Sequence, residues 1–251
     1  DARANLIDDE RLIFIPQNFR YLKRFLRLEG YKKVDGILAD LGVSSHQINE
    51  AERGFSYRFD ANMDMRMNQE GIKTAAEIIN TYEADDLQRI FGMYGEVKNS
   101  RTLAQLIVNE RAFRPIVSIN EFLNIIGKAV RGKRPKYLAQ VFQALRIEVN
   151  EEIEALHEFL EATRDVLNIG GRLVVMSYHS LEDRPVKNFV KRGNVRGKMI
   201  QDDYGKIYKP FKLINRNIIE ASAEELKRNN RARSAKLRIV ERLKDNMEVD
   251  F

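Results

Sequence analysis

Three short polar segments leave apolar runs and carry side chains able to do chemistry at a ligand: Gln17-Asn18-Phe19, Asp40 through Gln47, and Ser177 through Asp183. In open α/β sheets ligands bind beyond the carboxyl ends of the strands, so residues leaving strands are the first candidates. Asp40 offers a carboxylate to a polar ligand group, or equally a cap for the next turn. His179 offers a ring nitrogen near a reacting group, or equally orients the turn that follows it. Phe19 offers a flat face to a ring-shaped ligand, although an aromatic after a strand is more often simple core. Gln47 on its own is uninformative.

A second set points to a polyanion. The loop from Gly54 to Met67 mixes aromatics, arginines and acids without a helical or strand period. Phe55 and Phe59 suit stacking on bases, and Arg58 and Arg66 suit gripping phosphates. The alternative is a loop folded on its own side chains, with Met63, Met65 and Met67 as packing. Between Arg228 and Arg238 five basic residues gather, among them Arg231, Arg233 and Lys236. If Ala235, Leu237 and Ile239 face inward, Lys236 and Arg238 face outward, where they contact phosphate or merely guard an edge strand. Gln143, Arg146 and Asn150 form a polar stripe that reads as a solvated helix face.

Positioning these side chains requires a scaffold. Leu12 to Pro16 reads as a buried strand, Tyr21 to Leu28 as a basic helix, and Val34 to Asp40 as a second strand, the rhythm of a parallel α/β sheet. From Thr74 to Val130 apolar residues recur at intervals of three and four, predicting helices over 74–80, 84–94, 101–113 and 120–130. The basic run Arg131 to Lys136 punctuates the chain. Leu138, Phe142, Leu145, Val149, Ile153, Leu156 and Leu160 then mark one face of a single long helix. Gly170-Gly171 stops it, and Arg172 to Tyr178 is a strand. Ser180 and Asp183 have capping-box spacing, so a helix should run from Leu181 to Lys191. Residues 207–214 and 234–243 read as closing strands, and the tail after Lys244 as frayed. The expected organisation is a sheet core over 1–68 and 138–251 interrupted by a helical insert over 69–137.

Composition sets limits. The chain has 251 residues, 43 Lys plus Arg against 37 Asp plus Glu, and a net charge of +6, compatible with a polyanionic partner. It has no cysteine and 3 histidines, which removes disulfides, thiolate nucleophiles and cysteine-ligated metal sites. No apolar run approaches the ~20 residues of a membrane span, and Asp1 to Asn5 does not open a signal peptide. A soluble, cytoplasmic protein is expected.

Taken in order, several blocks resemble the ribosomal RNA small subunit methyltransferase H family, also called MraW. They are Val34 to Ser45, Glu52 to Ser56, Met63-Asp64-Met65-Arg66-Met67, Phe142 to Ile147 with Val149-Asn150, Gly170 to Leu173, Ser177 to Arg184, and Arg231 to Arg238. The resemblance implies a Rossmann-like class I methyltransferase core with an inserted all-helical subdomain. It implies S-adenosylmethionine as cofactor and N4-methylation of a cytidine in the decoding region of 16S rRNA within the small ribosomal subunit. It also implies that Phe19, Asp40 and Gln47 contact the cofactor. Such chemistry needs no metal, and we expect the target amine near the Ser177-Tyr178-His179 strand end, with Asp40 and His179 as its catalytic groups. Oligomeric state, a homodimer included, is left open.

The family's core opens with a strand and a glycine-rich loop, then a second strand ending in an acid. No glycine cluster precedes Gly42, so the sequence as given is expected to lack that first βαβ unit and to be nearly inactive alone. Asn68 and Asn230 stand where an acid and a proline are common in the family.

Overall fold

The computed structural model describes residue 6 and residues 8–246. The readings for the first five residues and for the end of the tail lie outside the described residues. Two compact units emerge, one formed by Asp1–Gly42 with Ile153–Phe251 and the other by Val43–Glu152. The second begins well before the expected residue 69 and ends after 137. Its extra length has a physical basis in the fully buried Met63 and Met65 and in a helix over 134–150 that supplies core residues such as Val141 and Leu145.

In the sheet unit, helix α1 (Leu22–Leu28) precedes strand β1 (Val34–Asp40). After the inserted unit come α8 (Glu152–Val166), β2 (Leu167–Ser177), α9 (Ser180–Arg192), β3 (Phe211–Leu213), α10 (Ala223–Arg228) and β4 (Lys236–Arg242). The strand order is β1-β2-β4-β3. β1 runs parallel to β2, with Asp40 opposite Met176, whereas β4 is antiparallel to both β2 and β3. Leu156, Phe159 and Leu160 of α8 and Val186, Phe189 and Val190 of α9 share one core with Leu173 and Val175 of β2. Leu38, one residue off that face, is 73% exposed, as strand alternation requires.

Several expectations need correction here. Leu12 to Pro16 forms no strand; Leu12, Ile13 and Phe14 are exposed, because an apolar run becomes a strand only where another strand pairs along its length, and none of β1 to β4 does so. Gly170-Gly171 does not stop a helix but lies inside β2. There Gly170 takes φ 84°, and a Cβ on Gly171 would sit 2.9 Å from the Asp35 carbonyl oxygen, so the pair makes the irregular register opposite Val34 and Gly36. Ser180 does not cap α9. The N-cap is His179, and Asp183 turns to β4 instead.

The helical unit contains α2 (Ser45–Asn49), α3 (Ala75–Thr81), α4 (Ala84–Met93), α5 (Ser100–Arg111), α6 (Ile119–Gly127) and α7 (Arg134–Asn150). Thr74 and Ser118 cap α3 and α6 by accepting from backbone N–H groups in the first turn, so their boundaries follow from side-chain chemistry. The single long helix expected from Leu138 to Leu160 is two, α7 and α8, broken at Glu151 with φ 49° and ψ 42°. Arg146 and Glu152 bridge the break, Nε to Oε1 at 2.8 Å, with both side chains largely buried.

The stripe on α7 is not a solvated face. Gln143 donates to the Tyr94 carbonyl at 2.8 Å, and Asn150 accepts from the Met67 N–H at 2.6 Å while donating to the Met65 carbonyl at 2.8 Å. The two Asn150 bonds hold down the loop that ends at Met67. Gly54 opens the same loop at φ 71°, where a Cβ would lie 2.6 Å from the Asn62 carbonyl oxygen. Gly54→Ala should therefore lose about 2 kcal/mol or more in chemical denaturation, through backbone strain and collision together. A midpoint equal to that of the parent would contradict this geometry.

Candidate active site

The sheet unit joins two of the strand-exit candidates. Because β1 and β2 are adjacent and parallel, their carboxyl ends open on the same side, and the Leu41 N–H continues the pairing by donating to the Met176 carbonyl at 3.0 Å. Asp40 is exposed, and its Oδ1 accepts a hydrogen bond from the Tyr178 hydroxyl at 2.7 Å. The Tyr178 N–H donates to Glu182 Oε2 at 2.7 Å, and the other oxygen of Glu182 lies 3.2 Å from His179 Nε2. A continuous polar chain thus runs Asp40, Tyr178, Glu182, His179.

Each link has a local cause. Glu182 is only 3% exposed but stands in the first turn of α9, where the positive end of the helix dipole favours a carboxylate. Burial, then the hydrogen bond to Asp40 and the nearby negative charges, push the Tyr178 phenol up to about 12, so it remains a protonated donor at neutral pH. Gly42 takes φ 87° at the exit of β1, which lets the chain turn away beside Tyr178.

Phe19 lies in a 3₁₀ turn, Phe19–Tyr21, capped by Asn18. Its ring meets Phe159 edge to face at 5.3 Å and is still 43% exposed, so it is anchored to the core while keeping surface for a flat ligand. Gln47 belongs to the helical unit. Its Oε1 accepts from the Ser44 N–H at 2.9 Å while its own N–H donates to Ser44 Oγ at 3.2 Å, a complete capping box. The Ser44–Gln47 spacing announces this local role in the sequence. Tyr178 and Glu182, which connect Asp40 to His179, carry no comparable signal, since their function depends on strand register.

The polyanion candidates divide. In the helical unit Arg58 and Phe59 are exposed, and Phe55 is half-buried beneath the Arg53 guanidinium, 5.8 Å from ring centre. Arg66 is spent internally: it forms two bonds to Asp64, Nε to Oδ1 at 2.9 Å and an NH2 nitrogen to Oδ2 at 2.6 Å, and a third to the Gly71 carbonyl. The hydrogen bond from Arg66 holds the Asp64 carboxyl below its ordinary range. In the sheet unit Arg231 and Arg233 are exposed in a 3₁₀ turn, Asn230–Ser234, and Lys236 Nζ stands 3.9 Å from Asp183 Oδ2. The Arg238 side chain is largely buried. It pairs with Asp183 through two bonds of 2.9 and 3.0 Å, and β4 is an interior strand with no edge to guard.

Residues 1–243 match the model of the MraW methylase family. The chain belongs to the MraW methylase family. It is 58% identical over 249 residues to the ribosomal RNA small subunit methyltransferase H of Cytophaga hutchinsonii, covering 96% of this chain and 83% of that protein. It is 54% identical over 243 residues to the protein so named in Phocaeicola vulgatus, covering 96% of this chain and 80% of the relative. An MraW chain is a Rossmann-like, S-adenosylmethionine-dependent methyltransferase, and the parallel β1–β2 pair with its polar exits is the part of that core described above.

Proposed function

We propose that the chain transfers a methyl group from S-adenosylmethionine to the exocyclic N4 amine of a cytidine in the decoding region of 16S ribosomal RNA, in the cytoplasm. The observation that carries the reading is the Asp40–Tyr178–Glu182–His179 chain at the exits of two adjacent parallel strands. The names of the relatives support a small-subunit ribosomal RNA substrate. No helix among the described residues is long and apolar enough to cross a membrane.

The residues fit the cofactor. Phe19 presents a partly exposed ring fixed at its edge, and Asp40 presents an exposed carboxylate to a hydroxyl or amine. When bound, S-adenosylmethionine supplies an electrophilic methyl group on a sulfonium. Cytosine's exocyclic nitrogen shares its lone pair with the ring, so it attacks well only when an acceptor draws on its hydrogens and holds it in line. In this reading His179, whose Nε2 lies 3.2 Å from a Glu182 oxygen, accepts from that amine and takes the proton released as the N–C bond forms. The Tyr178 hydroxyl fixes the Asp40 rotamer. This chemistry calls on no metal.

The decisive assay is methyl transfer to 30S particles followed by mass spectrometry of the nucleosides. N4-methylcytidine at one decoding-region site is the expected product, and its absence overturns the reading. Within it, His179→Ala should lower kcat about 100-fold or more with little change in KM for S-adenosylmethionine. Unchanged turnover would remove His179 from the chemistry.

A further inference from the structure

The helical unit contains a recess, separate from the strand exits, with a volume of ≈ 570 Å³. Lys98, Arg131, Lys133 and Lys136 line it, and among the described residues none of the four forms an ion pair. One acid, Glu96, shares the wall. Local sequence explains the gathering: Gly132, at φ 75°, turns the chain between α6 and α7 so that the basic run meets the start of α7. That 17-residue helix has no side-chain N-cap and carries Pro135 in its first turn, leaving the Arg134 and Lys136 N–H groups and the positive end of its dipole beside the four cations.

A second observation points to a ligand. Tyr137, in the wall, is 3% exposed, and beside the Asn99 amide its hydroxyl finds no acceptor for its own proton. Asn99 spends its amide nitrogen on the Ala129 carbonyl at 2.8 Å, and its buried Oδ1 makes no hydrogen bond. Buried polar atoms are nearly always satisfied, so a donor and an acceptor left open together at the floor of a cationic recess define the chemistry they await. A phosphate oxygen suits the hydroxyl and the cations. A hydroxyl donor suits Asn99 Oδ1, and in nucleic acid the 2′-hydroxyl of ribose supplies one next to a phosphate.

We propose that this recess binds one sugar–phosphate unit of the RNA backbone, the phosphate held by the four cations and the Tyr137 hydroxyl and the 2′-hydroxyl by Asn99. The assignment rests on the RNA substrate proposed above. It gives the helical unit a register contact that positions the RNA without reading its sequence.

The test is binding of a labelled small-subunit rRNA fragment by the purified protein, measured across a salt series. Lys133→Ala/Lys136→Ala should weaken binding about 10-fold and lower the slope of log K against log salt by about 1, since each phosphate contact contributes roughly 0.7 to 0.9. In turnover it should raise KM for RNA and leave kcat unchanged. Tyr137→Phe should weaken RNA binding about 3-fold without changing the slope, because it removes a hydrogen bond and no charge. A double variant with parental affinity and slope overturns the site. Equal weakening of DNA and RNA of one sequence by Tyr137→Phe supports the phosphate contact. The slope is read without turnover, so failure of the parent protein to methylate cytidine would overturn the proposed function alone.

Discussion

Asp40→Asn is expected to lower kcat/KM for methyl transfer about 100-fold while leaving thermal stability nearly unchanged. Asparagine keeps a carbonyl oxygen where Asp40 Oδ1 accepts from the Tyr178 hydroxyl, so the polar chain retains its geometry. What disappears is the negative charge, and hydrogen bonds to a charged acceptor are roughly twice as strong as neutral ones. The same change removes one cause of the raised Tyr178 ionisation, leaving burial as the main one. Ultraviolet titration should therefore show Tyr178 ionising at lower pH in the variant. For the parent, the raised phenol contributes stability that is complete below the ordinary tyrosine value near 10 and is lost as pH rises toward about 12. If the Tyr178 titration moves and turnover does not, Asp40 positions a tyrosine and touches no ligand.

Arg238→Ala should be strongly destabilising. Arg238 and Asp183 have side chains 9% and 12% exposed, and removing one partner leaves the other charge buried. Breaking such a pair costs about 3–5 kcal/mol, and Lys236, 3.9 Å from Asp183, should hold the loss near the lower figure. For a domain of this size that corresponds to a melting temperature lower by roughly 10 °C. Arg238→Met with Asp183→Leu should recover most of it, since no charge is then stranded. Were Arg238 a phosphate ligand, stability would hold and the salt slope of RNA binding would fall by about 1. Calorimetry and the salt series together separate the two.

The contrast between Asp40 and Arg238 shows what a sequence can and cannot disclose. Helices α3 to α6 and strand β1 declare themselves through apolar period and caps, and the strand-exit rule singles out Asp40 and His179 as candidates because it needs only local pattern and topology. Arg238 looks outward-facing because a period of two says which face a residue occupies, not what lies above that face; Asp183 on α9 decides the matter. Leu12 to Phe14 fails as a strand for a related reason, since apolar content does not disclose whether a neighbour is there to pair. The break at Glu151 is hidden because a left-handed residue without glycine or proline leaves the apolar spacing from Val149 to Ile153 intact. Tyr178 and Glu182 fall within the Ser177–Asp183 segment, but their partners are set by register and not by spacing.

The strand order also dictates a schedule. β1 ends at Asp40, and its hydrogen-bonded neighbour begins only at Leu167. During synthesis the whole segment Val43–Glu152, which carries its own buried core, leaves the ribosome before β1 can be paired by β2. Until then β1 lacks its β2 neighbour, whatever else the chain has folded. The hydrogen bond between Asp40 and Tyr178 forms only after that wait, so the candidate catalytic chemistry is among the last features the growing polypeptide acquires.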